Sequence, residues 1–219
     1  MAKVIIFGLM DLAELAHYYL TEDSEHEVVA FTVHKKYRTV ENFKGLPVVD
    51  FETIKEKFPN TVYHLFAPMI GTNMNRLREE IYNEGNQKGY KFISYISSKA
   101  TVFNNKIGDN CFILEDNTIQ PFTSIGNNVI LWSGNHIGHH SEIKDHVFFT
   151  SHVVMSGHCI IEPNCFLGVN STLRDGCHVA KGTLLAMGAS LTKLETEEWG
   201  IYMGNPAKIV EGKKSFEVF

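Results

Sequence analysis

From Ile107 to Leu191 every sixth residue is large and apolar: Ile107, Ile113, Ile119, Ile125, Leu131, Ile137, Ile143, Phe149, Met155, Ile161, Leu167, Leu173, Val179, Leu185 and Leu191. Four residues after each of the first fourteen stands a second, mostly small residue, in order Cys111, Asn117, Thr123, Val129, Asn135, Ser141, Val147, Val153, Cys159, Cys165, Ser171, Cys177, Thr183 and Ala189. A period of six matches neither the 3.6 of an α-helix nor the 2 of a flat strand. It is the period of a parallel β-helix in which each hexapeptide supplies one short strand and one turn. Three hexapeptides close a triangular coil, so residues 18 apart stack at roughly the 4.8 Å strand spacing and the run makes about five coils. No single coil could bury its own apolar face, whereas stacked coils bury a continuous one, at about 1.5–3 kcal/mol per inward side chain.

Composition narrows the partners. The 219 residues are 44% hydrophobic and 21% charged with a net charge of −5, and no basic run occurs. This balance argues against nucleic acid or an anionic membrane as a partner. No apolar stretch reaches spanning length and no signal-peptide pattern stands at Met1-Ala2-Lys3, so the expected location is the cytoplasm. All four cysteines, Cys111, Cys159, Cys165 and Cys177, fall on the small position of the hexapeptide, where a thiol serves as a small hydrophobe. No CxxC spacing supports zinc.

Residues 1–97 read differently. Strand-like "KVIIFG" (Lys3–Gly8), "EVVAFTV" (Glu27–Val33), "TVYHLFA" (Thr61–Ala67) and "YKFISYI" (Tyr90–Ile96) alternate with helix-like Asp11–Leu20, Phe51–Phe58 and Asn73–Gly85. The alternation predicts a small Rossmann-like α/β domain built on a parallel sheet. Ligands gather at the carboxyl ends of such strands, which puts Gly8–Ala13 and Val33–Lys36 at the border of a site. The first loop, "FGLMDLAE", has one glycine where a dinucleotide fingerprint has three, which argues against NAD, and Asp11 reads as the N-cap of the first helix. A later loop, "APMIGTNMNR" (Ala67–Arg76), offers Thr72, Asn73 and Asn75 either to a hydroxyl-rich ligand or to ordinary loop and cap duties. The expected division is residues 1–97 for substrate, 98–193 for the β-helix and 194–219 for a tail.

Within the coils, departures from the repeat carry the information. Six of the eleven histidines lie in Gly134–His158. His146 shares a turn column with Asn110, Asn128 and Asn164, as suits a solvated corner, and His152 stacks over Asn170. His140 and His158 are 18 apart and should stack. His139 precedes a turn, and the residue one coil further on is Gly157. A base beside the backbone amide of a glycine is the minimum for acyl transfer.

The stretch "HHSEIKDHVFFTSHVVMSGHCIIEPNCFLGVNS" and the tail "YMGNPAKIV" (Tyr202–Val210) resemble the bacterial sugar acetyltransferases of the sialic acid O-acetyltransferase and bacillosamine-pathway N-acetyltransferase type. The resemblance covers the α/β domain, the coils and the tail. It implies a left-handed β-helix, contrary to the usual right-handed crossover, a homotrimer with active sites between subunits, acetyl-CoA as co-substrate, no metal, and a bacterial, nucleotide-linked sugar as acceptor in surface glycan synthesis. On this resemblance His139 is the general base, and Gly157 supplies an amide to the oxyanion. The positions of Phe148, Val169 and Met187, and the tail residues Gly204, Pro206 and Lys208, border CoA. Gly8, Leu9, Met10, Asp11, His34 and Lys35 border the sugar nucleotide.

The sequence also departs from the pattern. His140 stands where the family carries a carboxylate, leaving Glu142 or Asp145 to orient His139, or no acid at all. Phe148 replaces a CoA-contacting histidine and Met187 a glycine of the CoA channel. The acidic pair that reads uracil is missing from the region of "TVHKK" (Thr32–Lys36), so a base other than uracil, or a sugar without a nucleotide, stays open. Two other readings remain. A γ-carbonic-anhydrase-like zinc hydratase requires two histidines five apart, a spacing the sequence lacks, and a non-catalytic trimeric scaffold would leave the tail motif without a purpose.

Overall fold

The computed structural model covers residues 1–219. The period-six side chains point into a triangular prism: from Ile113 to Leu191 all are at most 3% exposed, and only Ile107, in the first coil, is half-buried. Strands two residues long stack in parallel with the expected offset of 18, as in Ile113↔Leu131↔Phe149↔Leu167↔Leu185. The prism is a left-handed parallel β-helix. Its first face runs from Tyr95–Ile96 to Ile201–Met203 and Lys208–Ile209, its second from Thr101–Val102 to Ser190–Leu191, and its third from Lys106–Ile107 to His178–Val179. The four thiols are buried and unpaired by disulfides, as packing at the small position requires. Burial pushes those of Cys111 and Cys165 up to about 12.

The preceding α/β domain has strands β1 (Lys3–Phe7), β2 (Glu27–Val33), β3 (Asn42–Phe43), β4 (Leu46–Asp50) and β5 (Tyr63–Phe66) in the order β3-β4-β2-β1-β5. All pairs are parallel except β3 with β4. Helices α1 (Asp11–Glu22), α2 (Ile54–Lys57) and α3 (Arg76–Gln87) accompany them. The order of the parallel strands reverses between β1 and β5, and the crevice at their carboxyl ends is bordered by the loops after Phe7 and Phe66.

Three local expectations change. The β3–β4 hairpin was not anticipated; Lys44 and Gly45 both take positive φ and form its two-residue turn. Tyr90–Ile96 is not one strand: Phe92 bridges Leu65, and Tyr95–Ile96 already belongs to the first prism face. Met10, not Asp11, is the N-cap of α1; Asp11 is its first helical residue.

The α/β domain docks on the first prism face. Phe112, Ile130 and Phe148, outward on the prism, share an apolar cluster with Ile6, Phe31 and Phe66. The corner predicted to be solvated is also covered. Asn110 donates to Asn128 at 2.7 Å and Asn128 meets His146 Nδ1 at 2.8 Å, forming a buried ladder. Arg78 of α3, fully buried, donates to the carbonyls of Asn128 (2.7 Å) and His146 (3.1 Å). Turn carbonyls that would have faced water are thereby satisfied by the docked helix.

Candidate active site

His139 and His140 occupy the turn between the second and third prism faces, after His136–Ile137 and before Glu142–Ile143. Both side chains are exposed. Gly157 is the corresponding residue of the next coil, and its fit against His139 is close. A Cβ added there would lie 2.7 Å from His139 Cε1 and 3.0 Å from each ring nitrogen. The glycine is required by space, since its φ is not positive. Its N–H makes no hydrogen bond within the chain although the residue is buried, leaving an unspent donor on the residue that packs against the imidazole.

No carboxylate reaches the His139 ring. Glu142 pairs with Lys144 at 2.5 Å, and Asp145 accepts the Asn127 N–H at 2.6 Å. The partner of His139 Nδ1 is His140 Nδ1, at 3.0 Å, with the two rings nearly perpendicular. The backbone N–H of His139 donates to Gln120 Oε1 at 3.0 Å. If His139 holds its proton on Nδ1 against His140, Nε2 carries a free lone pair. His158 stacks on His140 as expected, with ring centroids 5.1 Å apart and 20° between planes, and Phe122 covers the other side of His140 at 4.6 Å.

The other expected site residues lie elsewhere in the chain. Val169 and Met187 occupy the corner between the first and second faces, both with exposed side chains. The Val169 carbonyl accepts the Gly188 N–H, and its own N–H is unspent. Phe148 is buried on the first face, stacked on Phe166 and beside Arg78. Gly204, Pro206 and Lys208 are exposed in the terminal hairpin, which closes the last coil through Ser190.

In the α/β domain, Gly8 takes φ +125° as β1 turns toward α1, leaving Leu9 half-buried and Met10 and Asp11 exposed. His34 is engaged at both nitrogens, 3.3 Å from Glu52 and 3.3 Å from Glu84, and so acts as a strut. Lys35 donates its backbone N–H to Glu52, leaving its side chain exposed. The Asn75 amide nitrogen is spent as well, donating from a buried position to the Asn164 and Cys165 carbonyls, while its Oδ1 has no partner. The structure thus brings His139, His140, His158 and Gly157 together at one corner. The residues expected to border CoA sit at another corner, on the first prism face and in the terminal hairpin, and those expected to border the sugar sit on the α/β domain.

Sequence reasoning missed a cavity of about 410 Å³ between the domains, lined by Ile70, Gly71, Trp132, Phe148, Phe166 and Phe219 among others. Its signal was present in the outward pair Phe148 and Phe166, 18 residues apart and too apolar for a solvated face.

Fold and corner together define a class, the hexapeptide β-helix carrying an α/β domain at its front. The family model described as "Hexapeptide repeat of succinyl-transferase" matches residues 159–193. Among solved structures, the acetyltransferase domain of PglB from Neisseria gonorrhoeae FA1090 superposes with a TM-score of 0.82 at 19% identity, covering 96% of this chain and 100% of that one. A variant of perosamine N-acetyltransferase from Caulobacter crescentus, in complex with CoA and GDP-perosamine, gives 0.85 at 19%, with 96% and 97% covered. WeeI from Acinetobacter baumannii AYE gives 0.80 at 18%, with 96% and 100% covered. What is shared at these identities is the whole two-part fold. No curated protein sequence matches the chain.

Proposed function

We propose that the chain is an acyltransferase that moves the acetyl group of acetyl-CoA to an amino group or hydroxyl of a bacterial, nucleotide-linked sugar in surface glycan synthesis. The observation that carries this reading is His139 packed against Gly157, whose N–H is unspent, at one corner of a fold shared with sugar N-acetyltransferases. Solved relatives with acetyl-CoA, or with CoA and GDP-perosamine, support the substrate classes.

The chemistry follows from the corner. His139 Nε2 takes the proton of the acceptor N–H or O–H as its heteroatom attacks the thioester carbonyl. The oxygen gains negative charge and is met by the Gly157 N–H. Collapse of the intermediate expels the CoA thiolate, which recovers the proton from the imidazolium, giving acetylated sugar and CoA thiol. Base catalysis contributes roughly 10²–10⁴-fold and positioning much of the rest. In this mechanism His140, in place of an acid, accepts from His139 Nδ1–H across the 3.0 Å contact, which leaves Nε2 free to act as the base.

One chain holds the base at one corner and the candidate CoA contacts at another. In this reading a homotrimer completes the site, with Val169, Met187 and the tail of one subunit facing His139 of its neighbour, and the α/β domain presenting the sugar from the loop after β1. A screen of GDP-, dTDP- and UDP-linked amino sugars with acetyl-CoA, followed by thiol release and product mass, tests the reading. An acetylated product with any of them supports it. No product with these or with other hydroxylated sugars contradicts it.

A further inference from the structure

The histidine corner has a second chemical property that proton transfer does not use. His139, His140 and His158 each offer a ring nitrogen, and the three nitrogens lie within 4.8 Å of one another. His139 stands at 87° to both other rings with centroids 5.1 Å away, while His140 and His158 are stacked. We propose that these three side chains form a binding site for a divalent cation of the zinc type, and that its occupancy inhibits the chain.

The donor set selects the ion. Three neutral imidazoles without a carboxylate suit zinc and its neighbours rather than magnesium or calcium. Glu142 is held by Lys144 and the Asp145 carboxylate by Asn127, so neither completes an oxygen shell. A tetrahedral zinc with bonds of about 2.0–2.1 Å needs nitrogens roughly 3.4 Å apart. The closest pair already stands at 3.0 Å, and the exposed rings can close the remainder by side-chain rotation. The backbone is set by the coil register, with the His158 N–H donating to the His139 carbonyl at 2.9 Å. All three side chains are exposed, so the fourth position is open to water.

Each ring binds through one nitrogen and keeps its proton on the other. The ion thus takes a lone pair from His139 and interrupts the 3.0 Å contact with His140, and no electron transfer or co-reactant is involved. That occupancy inhibits acetyl transfer rests on the function proposed above; the binding itself does not.

The test uses the full chain, stripped with chelator and titrated with Zn²⁺ by calorimetry and with Co²⁺ by visible absorption. One equivalent per chain and the absorption of four-coordinate cobalt are expected. His158→Asn, which suits its left-handed turn as Asn164 and Asn170 suit theirs, should weaken Kd about 100-fold. His178→Ala, on the third face and paired with Glu162, should leave Kd unchanged. Absence of binding, or equal binding in His158→Asn, overturns the site. If the sugar screen yields a transfer assay, zinc should inhibit it reversibly and need about 100-fold more metal in His158→Asn; binding without inhibition overturns the inhibitory role. Failure of the sugar screen leaves the titration interpretable, so the two readings fail separately.

Discussion

The imidazole of His139 lies where a side chain at Gly157 would have to be, 2.7 Å from the Cβ that alanine would add. Gly157→Ala keeps the backbone N–H yet displaces the imidazole, the base of the proposed mechanism, by a fraction of its own width. Misplacement on the scale of 1 Å costs up to about 10²-fold in rate. The expected result is a fall in kcat of roughly 10–100-fold with an unaltered circular dichroism spectrum, measured side by side.

In the proposed mechanism His140 positions the base in place of a carboxylate, through an Nδ1–Nδ1 contact that a shorter side chain cannot make. His140→Ala should lower kcat while leaving the KM for acetyl-CoA near that of the parent. His140→Glu, which restores an acceptor for His139 Nδ1–H, should recover most of the rate. The paired steady-state measurements check this, and a loss confined to KM would contradict the positioning role.

Arg78 ties the α/β domain to the prism by donating to the carbonyls of Asn128, His146 and Val147 while wholly buried. Arg78→Ala strands those carbonyls and should cost about 3 kcal/mol. Arg78→Lys should rescue little, because an ammonium cannot reproduce the planar fork. Urea unfolding curves of the three proteins provide the comparison.

Burial lowers the pKa of His146 below its ordinary value of 6.5, with Glu79 acting in the opposite direction. The folded state therefore binds its proton less readily than the unfolded chain. Stability from this group is full above about pH 6.5 and falls as the pH drops through the window between the unfolded and the lower folded pKa. His146→Asn, continuing the asparagine column of Asn110 and Asn128, should flatten the fall in stability between about pH 7 and pH 5. Midpoints of urea unfolding across that range measure it.

Completion of the site by a neighbouring subunit predicts a particle of three times the 24.8 kDa chain mass. Light scattering on the eluting protein determines it. A monomer that retains transferase activity would contradict a site shared between subunits.

Legibility in the sequence followed the range of the interactions. The prism was readable because its inward side chains repeat without a gap, and the same offset of 18 placed Gly157 beside His139 and His158 on His140. Docking of the α/β domain was not readable. Asn75 reaches Cys165, and Arg78 reaches His146, across 90 and 68 residues that no local pattern links. That docking is also why the Asn110–His146 corner is dry and why the Asn75 amide nitrogen is already engaged. The β3–β4 hairpin escaped because its shorter strand is two residues long, though Gly45 marked the turn.

The central claim is that His139 removes the acceptor's proton. With an acceptor sugar in hand, His139→Ala should lower kcat by about 10²–10⁴-fold while calorimetry returns an acetyl-CoA Kd within about twofold of the parent. Turnover of His139→Ala equal to that of the parent would contradict the account.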